Sequence, residues 1–220
     1  MSLPLILIGG GGHALVVADA ALTLGFTIVG FFDDDAKAVL SGGKPSAPWL
    51  GTLADTTPDK LAAIAKRTGE YSFAAWMFAL GHLGVRRQLL TQQLAALASQ
   101  SVTVIHPTAF VSRSAKIGNG VYVGPHAVVH TRAVVKHHAI INTGSIVEHE
   151  CVIGENSHVA PGSVLGGRTR VGADTLIGIG TRTLPGIVIG TGCTIGAGAV
   201  LIREVPDGAK VVGVPGQVRG

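Results

Sequence analysis

The chain is poor in the residues that anchor most globular cores and most charged surfaces. Aromatic residues make up only 5% of its 220 residues and charged residues only 14%. A charged fraction this low argues against a disordered chain, and it leaves no basic tail for nucleic acid. Two cysteines imply no disulfide framework. Long apolar runs are missing as well, since none approaches the ~18 residues needed to cross a bilayer. The start, Met1-Ser2-Leu3-Pro4, lacks a basic leader region, and the apolar stretch after it stops at Gly9. The expectation is a cytoplasmic protein without membrane insertion. The net charge of +4 comes with no Lys/Arg block, so it is only a general hint of anionic ligands.

Glycine is abundant, at 32 residues, and the second half of the chain is periodic. Steps of six from Ile105 land on Val111, Ile117, Val123 and onward to Ile189, Ile195 and Leu201, and Thr183 alone is not aliphatic. Four residues after each of these stands a mostly small side chain, such as Ala109, Ser145, Cys151, Thr169 and Cys193. Six residues make a short strand plus a corner, and three such faces close a coil of eighteen. Aliphatic and small residues then point inward, and layers stack at the ~4.8 Å strand spacing. Gly, Asn and Asp relieve the backbone at the corners. The period predicts a parallel β-helix of hexapeptide repeats over 102–220. The turn Pro206-Asp207-Gly208 falls where an exposed end of the solenoid needs cover.

Residues 1–101 follow another pattern. Leu5–Ile8 reads as a strand, Leu15–Leu24 as a helix and Thr27–Phe32 as a strand. Asp59–Arg67 reads as a helix, Ser72–Leu80 as a strand and Gly84–Leu97 as an amphipathic helix. Such alternation predicts a small α/β (Rossmann-like) unit with a parallel sheet. Gly9-x-Gly11-x-x-Ala14 lies between a strand and a helix, where glycines let backbone approach a phosphate at a helix N-terminus. Asp33 stands at about the distance along the chain from which an acidic residue meets a ribose hydroxyl.

The whole chain resembles the PglD/NeuD family of sugar acetyltransferases. The resemblance rests on Gly11-Gly12-His13, on Asp33-Asp34 after the second strand and on Ala79-Leu80-Gly81 after the third. Its strongest part runs from Asn142 through His149-Glu150-Cys151 to His158. The resemblance implies a left-handed β-helix and acetyl transfer from acetyl-CoA to the 4-amino group of a nucleotide-linked 4-amino-4,6-dideoxy sugar. GDP-perosamine and UDP- or dTDP-linked amino sugars are the candidates, with sialic acid or other sugar O-acetylation as the alternative. It further implies a homotrimer with acetyl-CoA lying between chains. By matching positions, His149 is the implied general base and Glu150 its partner. His158 is implied to meet the thioester, and Ile179 and Ala197 the pantetheine arm. Gly11, Gly12, His13, Asp33, Asp34 and Gly81 are implied to hold the nucleotide sugar. The family pattern is not complete, because Gly216 follows Pro215 where many relatives carry Ala, and His82 follows Gly81 where the family's namesake has Asn.

The repeat adds its own checks. Ile179 and Ala197 are eighteen apart, one coil, so a ligand along the solenoid axis touches both. His149 falls between the inward Val147 and Cys151 and should face outward near a corner. A histidine titrating near neutral pH suits proton removal from an attacking amine. The inward cysteines argue against a covalent acyl-enzyme. His106, His126, His130, His137 and His138 are expected to be merely solvated. No metal is expected, because the zinc enzymes built on such helices need a histidine pair five residues apart and no two histidines here have that spacing. A non-catalytic nucleotide-sugar-binding scaffold stays open as a reading of another class, and so does a nicotinamide oxidoreductase built on the first unit.

Overall fold

The structure is a computed structural model, and it describes residues 3–67 and 75–219. The chain divides into two compact units, with the boundary between Val104 and Ile105.

In the first unit, β1 (Pro4–Ile8), β2 (Thr27–Phe32), β3 (Trp49–Gly51) and β4 (Ala75–Phe78) form a parallel sheet in the order β3-β2-β1-β4. Three helices, α1 (Gly12–Thr23), α2 (Pro58–Arg67) and α3 (Leu83–Gln92), complete it. The expected strand over Ser72–Leu80 is seen as Ala75–Phe78, and its first three residues lie outside the described ones. α3 is shorter than the predicted Gly84–Leu97. It ends at Gln92, where the Gln93 and Leu94 N–H groups both turn back to the Leu89 carbonyl. That turn sends Leu94 into the core beside Leu89, Leu90, Trp76 and Phe78. Apolar residues past Gln92 therefore keep being buried without keeping the helix, which is why periodicity overran its end. Because β1 is flanked by β2 on one side and β4 on the other, the strand order reverses beside β1. In open α/β sheets ligands bind at such a point, beyond the carboxyl ends of the strands.

The second unit is the predicted solenoid, a left-handed parallel β-helix. Two-residue strands pair in parallel with strands eighteen positions on, as Val134–Val135 does with Val152–Ile153 and Ile146–Val147 with Val164–Leu165. Three sheets result, carrying 5, 8 and 6 strands, one for each face of the coil. Val123, Val129, Val147, Ile153, Leu165 and Ile177 are fully buried along the axis, and Cys151 and Ala199 fill the inner side of the corners. The third residue of many corners takes a left-handed backbone, supplied by glycine at Gly144, Gly162 and Gly180 but by Arg132, Glu150 and Arg168 elsewhere. His138 departs from expectation. It holds such a corner position yet is only 3% exposed, and Asn156, one coil above it, is fully buried. These two corners are enclosed, whereas the one carrying Arg132 is open, so His138 is not a solvated side chain. At the far end Lys210–Val212 extends one face in parallel, and Gln217–Arg219 then pairs with it antiparallel.

Candidate active site

The first unit prepares a backbone cradle at the end of β1. Gly9 and Gly10 are demanded by packing, since a Cβ on Gly9 would lie 2.8 Å from the Ala79 backbone, and one on Gly10 would strike the Phe31 ring. Gly11, Gly12 and Gly81 differ, because nothing stands within 4 Å of where their Cβ atoms would be. The protein leaves that space open directly before α1, whose N-cap Gly11 offers no side-chain cap to the first helical N–H groups. A helix N-terminus with open room in front of it suits a phosphate.

Asp33 and Asp34 are both held by backbone. Asp33 Oδ2 accepts from the Gly10 N–H at 2.7 Å and Oδ1 from the Asp35 N–H at 3.0 Å, so this carboxylate ties the glycine turn to the end of β2. Asp34 Oδ1 accepts from the Leu53 N–H at 3.0 Å. Each keeps a lone pair on each oxygen for a ligand hydroxyl or base edge. His13 follows Gly12 in the first turn of α1. Burial above all, and then the Arg86 guanidinium, lowers its pKa to about 4, so it is neutral at pH 7. The sign of the pH effect follows from that depression. Between pH 6.5 and about 4 the unfolded chain binds a proton that the folded chain refuses, so His13 costs stability as the solution acidifies.

In the solenoid, His149 and Glu150 are the two central residues of the corner between Ile146–Val147 and Val152–Ile153. The imidazole faces outward. Its Nδ1 donates to Glu150 Oε2 at 3.3 Å, which leaves the Nε2 lone pair as the available base. Glu150 adopts this place at φ 59°, a conformation that costs a non-glycine residue on the order of 1–3 kcal/mol. Its other oxygen pairs with Arg132, one coil earlier. The hydrogen bond from His149, followed by the charge of Arg132, holds the Glu150 carboxyl below the usual range, so it stays ionised wherever an imidazole titrates.

Gly167 lies one coil above His149, and its role escaped sequence reasoning. A Cβ there would come within 2.5 Å of His149 Nε2, so the ring rests on bare backbone. The Gly166 carbonyl is held by Thr169, through N–H at 3.1 Å and Oγ1 at 2.6 Å. In a planar trans peptide the next N–H points the opposite way, so that of Gly167 faces out of the coil beside the imidazole. Among the described residues no acceptor meets it.

His158 stands on the strand His158–Val159, on another face of the coil. Asn142 Oδ1 accepts the Thr143 N–H at 2.8 Å, which turns its amide group toward His158 Nε2 at 3.1 Å. His158 Nε2 is therefore an acceptor, and the proton sits on Nδ1. Ile179 and Ala197 occupy successive corners of one column, linked by the Gly198 N–H donating to the Ile179 carbonyl at 2.7 Å, and the Ile179 side chain is exposed. His149 belongs to a different corner column. A single chain thus assembles His149, Glu150 and Gly167 in one place and Ile179 and Ala197 in another. Cys151 is buried, and burial raises its thiol to about 11, so it stays a thiol. Among the described residues no group of three potential ligands could hold a metal ion.

Comparison with known proteins agrees with this architecture. Residues 4–92 match the PglD N-terminal domain, and residues 168–203 match the bacterial transferase hexapeptide (six repeats). The chain is similar throughout to the acetyltransferase domain of PglB from Neisseria gonorrhoeae FA1090, at 34% identity and a TM-score of 0.84 over 98% of this chain and 99% of that one. It belongs to the PglD/NeuD family of sugar acetyltransferases. Another structure similar to this family member is PerB from Caulobacter crescentus in complex with CoA and GDP-perosamine, at 30% identity and a TM-score of 0.85, covering 99% of this chain and 97% of that one. The UDP-N-acetylbacillosamine N-acetyltransferase of Bacillus subtilis (strain 168) is 31% identical over 117 residues, 53% of this chain and 49% of the relative. The match therefore spans about half the length of that curated relative.

Proposed function

We propose that the protein is an acetyl-CoA-dependent N-acetyltransferase acting on the 4-amino group of a nucleotide-linked 4-amino-4,6-dideoxy sugar, in the assembly of a glycan in the cytoplasm. The observation that carries this is the corner at His149, where a base lone pair, an ionised carboxylate behind it and an outward N–H lie side by side. Relatives solved with acetyl coenzyme A and with CoA plus GDP-perosamine support the choice of cosubstrates.

The chemistry is direct transfer. The sugar amine attacks the thioester carbonyl, the C–N bond forms, and His149 Nε2 takes the proton that the nitrogen sheds. Glu150 stabilises the resulting imidazolium without accepting its proton, as in other acyl-transfer sites. The carbonyl oxygen gains charge in the tetrahedral intermediate, and the Gly167 N–H is the donor for it. The C–S bond then breaks, and the thiolate takes the proton from the His149 imidazolium and leaves as CoA, which restores the neutral base.

Two surfaces divide the substrates. Gly11, Gly12, His13, Asp33, Asp34 and Gly81 hold the nucleotide sugar, and His158, Ile179 and Ala197 hold acetyl-CoA. Since His149 and the Ile179–Ala197 column stand at different corners, the acetyl-CoA groove is completed by a second copy, in a homotrimer. Sedimentation should give three chains per particle, and a stable, active monomer would refute the shared groove.

Release of CoA thiol on mixing the protein with acetyl-CoA and GDP-perosamine, or a UDP- or dTDP-4-amino sugar, tests the activity itself. No release with any of the three would overturn it. With Asp34→Ala, KM for the sugar nucleotide should rise by roughly tenfold or more, the scale of a lost hydrogen bond to a charged group. KM for acetyl-CoA should not move. A parallel rise in both would dissolve the division of substrates.

A further inference from the structure

Thr183 is the one polar residue in the inward aliphatic column of the repeat, and the structure shows what its hydroxyl does. In a regular coil the residue after each inward aliphatic donates its N–H to the carbonyl of the next coil's inward residue. His130 reaches Val147 in this way, Glu148 reaches Leu165 and Leu184 reaches Leu201. Gly166 breaks the rule, because its N–H bonds to Thr183 Oγ1 at 2.9 Å. Thr183 Oγ1 also lies 2.9 Å from Thr169 Oγ1, and Thr169 Oγ1 lies 2.6 Å from the Gly166 carbonyl. Cys151 Sγ approaches the same carbonyl from the coil below, at 3.2 Å.

Proton bookkeeping fixes the directions. Thr169 has one hydroxyl proton, and the carbonyl takes it, so the Thr183 O–H donates to Thr169 Oγ1. The circuit runs from the Gly166 N–H through Thr183 and Thr169 back to the Gly166 carbonyl, and closed chains of this kind reinforce one another. The carbonyl so gripped belongs to the peptide whose N–H is that of Gly167. Outside the coil, that glycine carries the His149 ring, and the adjacent Arg168 N–H binds the His149 carbonyl at 2.9 Å.

We propose that Thr183 is a positioning residue for catalysis, acting from inside the solenoid. Through Thr169 it sets the plane of the Gly166–Gly167 peptide, and so the aim of the Gly167 N–H and the seat of the His149 imidazole. The solenoid does not need a hydroxyl there, because the other inward positions of the repeat are aliphatic and close the same coil. This inference rests on the proposed role of His149.

The test is steady-state kinetics on the intact protein, with Tm measured alongside. Thr183→Val removes the hydroxyl at nearly constant volume, and Thr183→Ala does so without any risk of overpacking. Both should lower kcat by about 10- to 10²-fold, the scale of a misplaced catalytic group. KM for acetyl-CoA should stay within about twofold, because no binding group is touched. Thr183→Ser should restore turnover. Thr175→Val is the control for loss of an interior hydroxyl, since Thr175 Oγ1 bonds the Gly190 carbonyl at 2.7 Å, at a corner remote from His149. It should lower Tm comparably and keep kcat. In a His149→Ala background, Thr183→Val should add little, as expected of residues that act as a unit.

Wild-type kcat in both Thr183→Val and Thr183→Ala, beside an inactive His149→Ala, would overturn the positioning role and leave the base intact. Full activity in His149→Ala would remove both. Equal kcat losses in Thr175→Val and Thr183→Val would reduce the effect to general loosening of the coil and overturn the proposal.

Discussion

Replacing His149 with alanine should lower kcat by roughly 10²–10⁴-fold, the usual contribution of a positioned general base. The ring projects from the corner with Nδ1 committed to Glu150, which leaves Nε2 to accept the proton. KM for acetyl-CoA should change little, because His149 does not stand on the Ile179–Ala197 column. Glu150→Gln should cost less. An ionised Glu150 stabilises the imidazolium that forms as the amine loses its proton, and a neutral amide does so far less. The loss should fall on kcat and leave KM for acetyl-CoA within about twofold. Wild-type turnover in His149→Ala across pH 6–9 would mean that another group is the base, and wild-type kcat in Glu150→Gln would remove the role given to the carboxylate.

Gly167→Ala should damage turnover without damaging the fold. The added carbon would lie 2.5 Å from His149 Nε2 and 2.7 Å from Cε1, far inside van der Waals contact, so the ring must swing away. The Gly167 backbone is not among the left-handed glycines, so alanine is conformationally allowed there. Its effect on the unfolded chain is even mildly stabilising, by about 0.4–1 kcal/mol. The expected result is a folded protein with an unchanged or slightly raised Tm and kcat lower by about 10²-fold. A drop in Tm with kcat intact would show that the glycine serves the coil rather than the imidazole.

The solenoid was legible because its physics is local. Six residues repeat one strand and one corner, so the inward column from Ile105 to Leu201 could be counted without knowing anything else. The outward place of His149 was legible for the same reason, since it falls between Val147 and Cys151, whereas its proposed role came from the family resemblance. Gly167 was missed although the signal was present, because stepping one coil from His149 lands on it. A glycine among many glycines gave no reason to take that step, and only the packed ring shows that the missing side chain matters. Thr183 was noticed as an exception, but its partners Gly166 and Thr169 sit in two different coils, and the broken ladder bond exists only once the coils stack. The end of α3 and the burial of His138 failed differently. Each depends on which surface covers a residue, and that is a property of tertiary packing which no period along the chain contains.

A β-helix carries a hazard in its own regularity. Every coil presents a row of unpaired N–H and C=O groups to whatever comes next, and an uncovered last coil is a template on which a second chain could grow end to end. The strand Gln217–Arg219 works against that growth on the face that it covers. Running against the direction of all the others, it offers an incoming coil the wrong polarity, and it ends in the cationic Arg219. The same short hairpin therefore breaks, on one face, the layer-on-layer regularity that end-to-end growth would need.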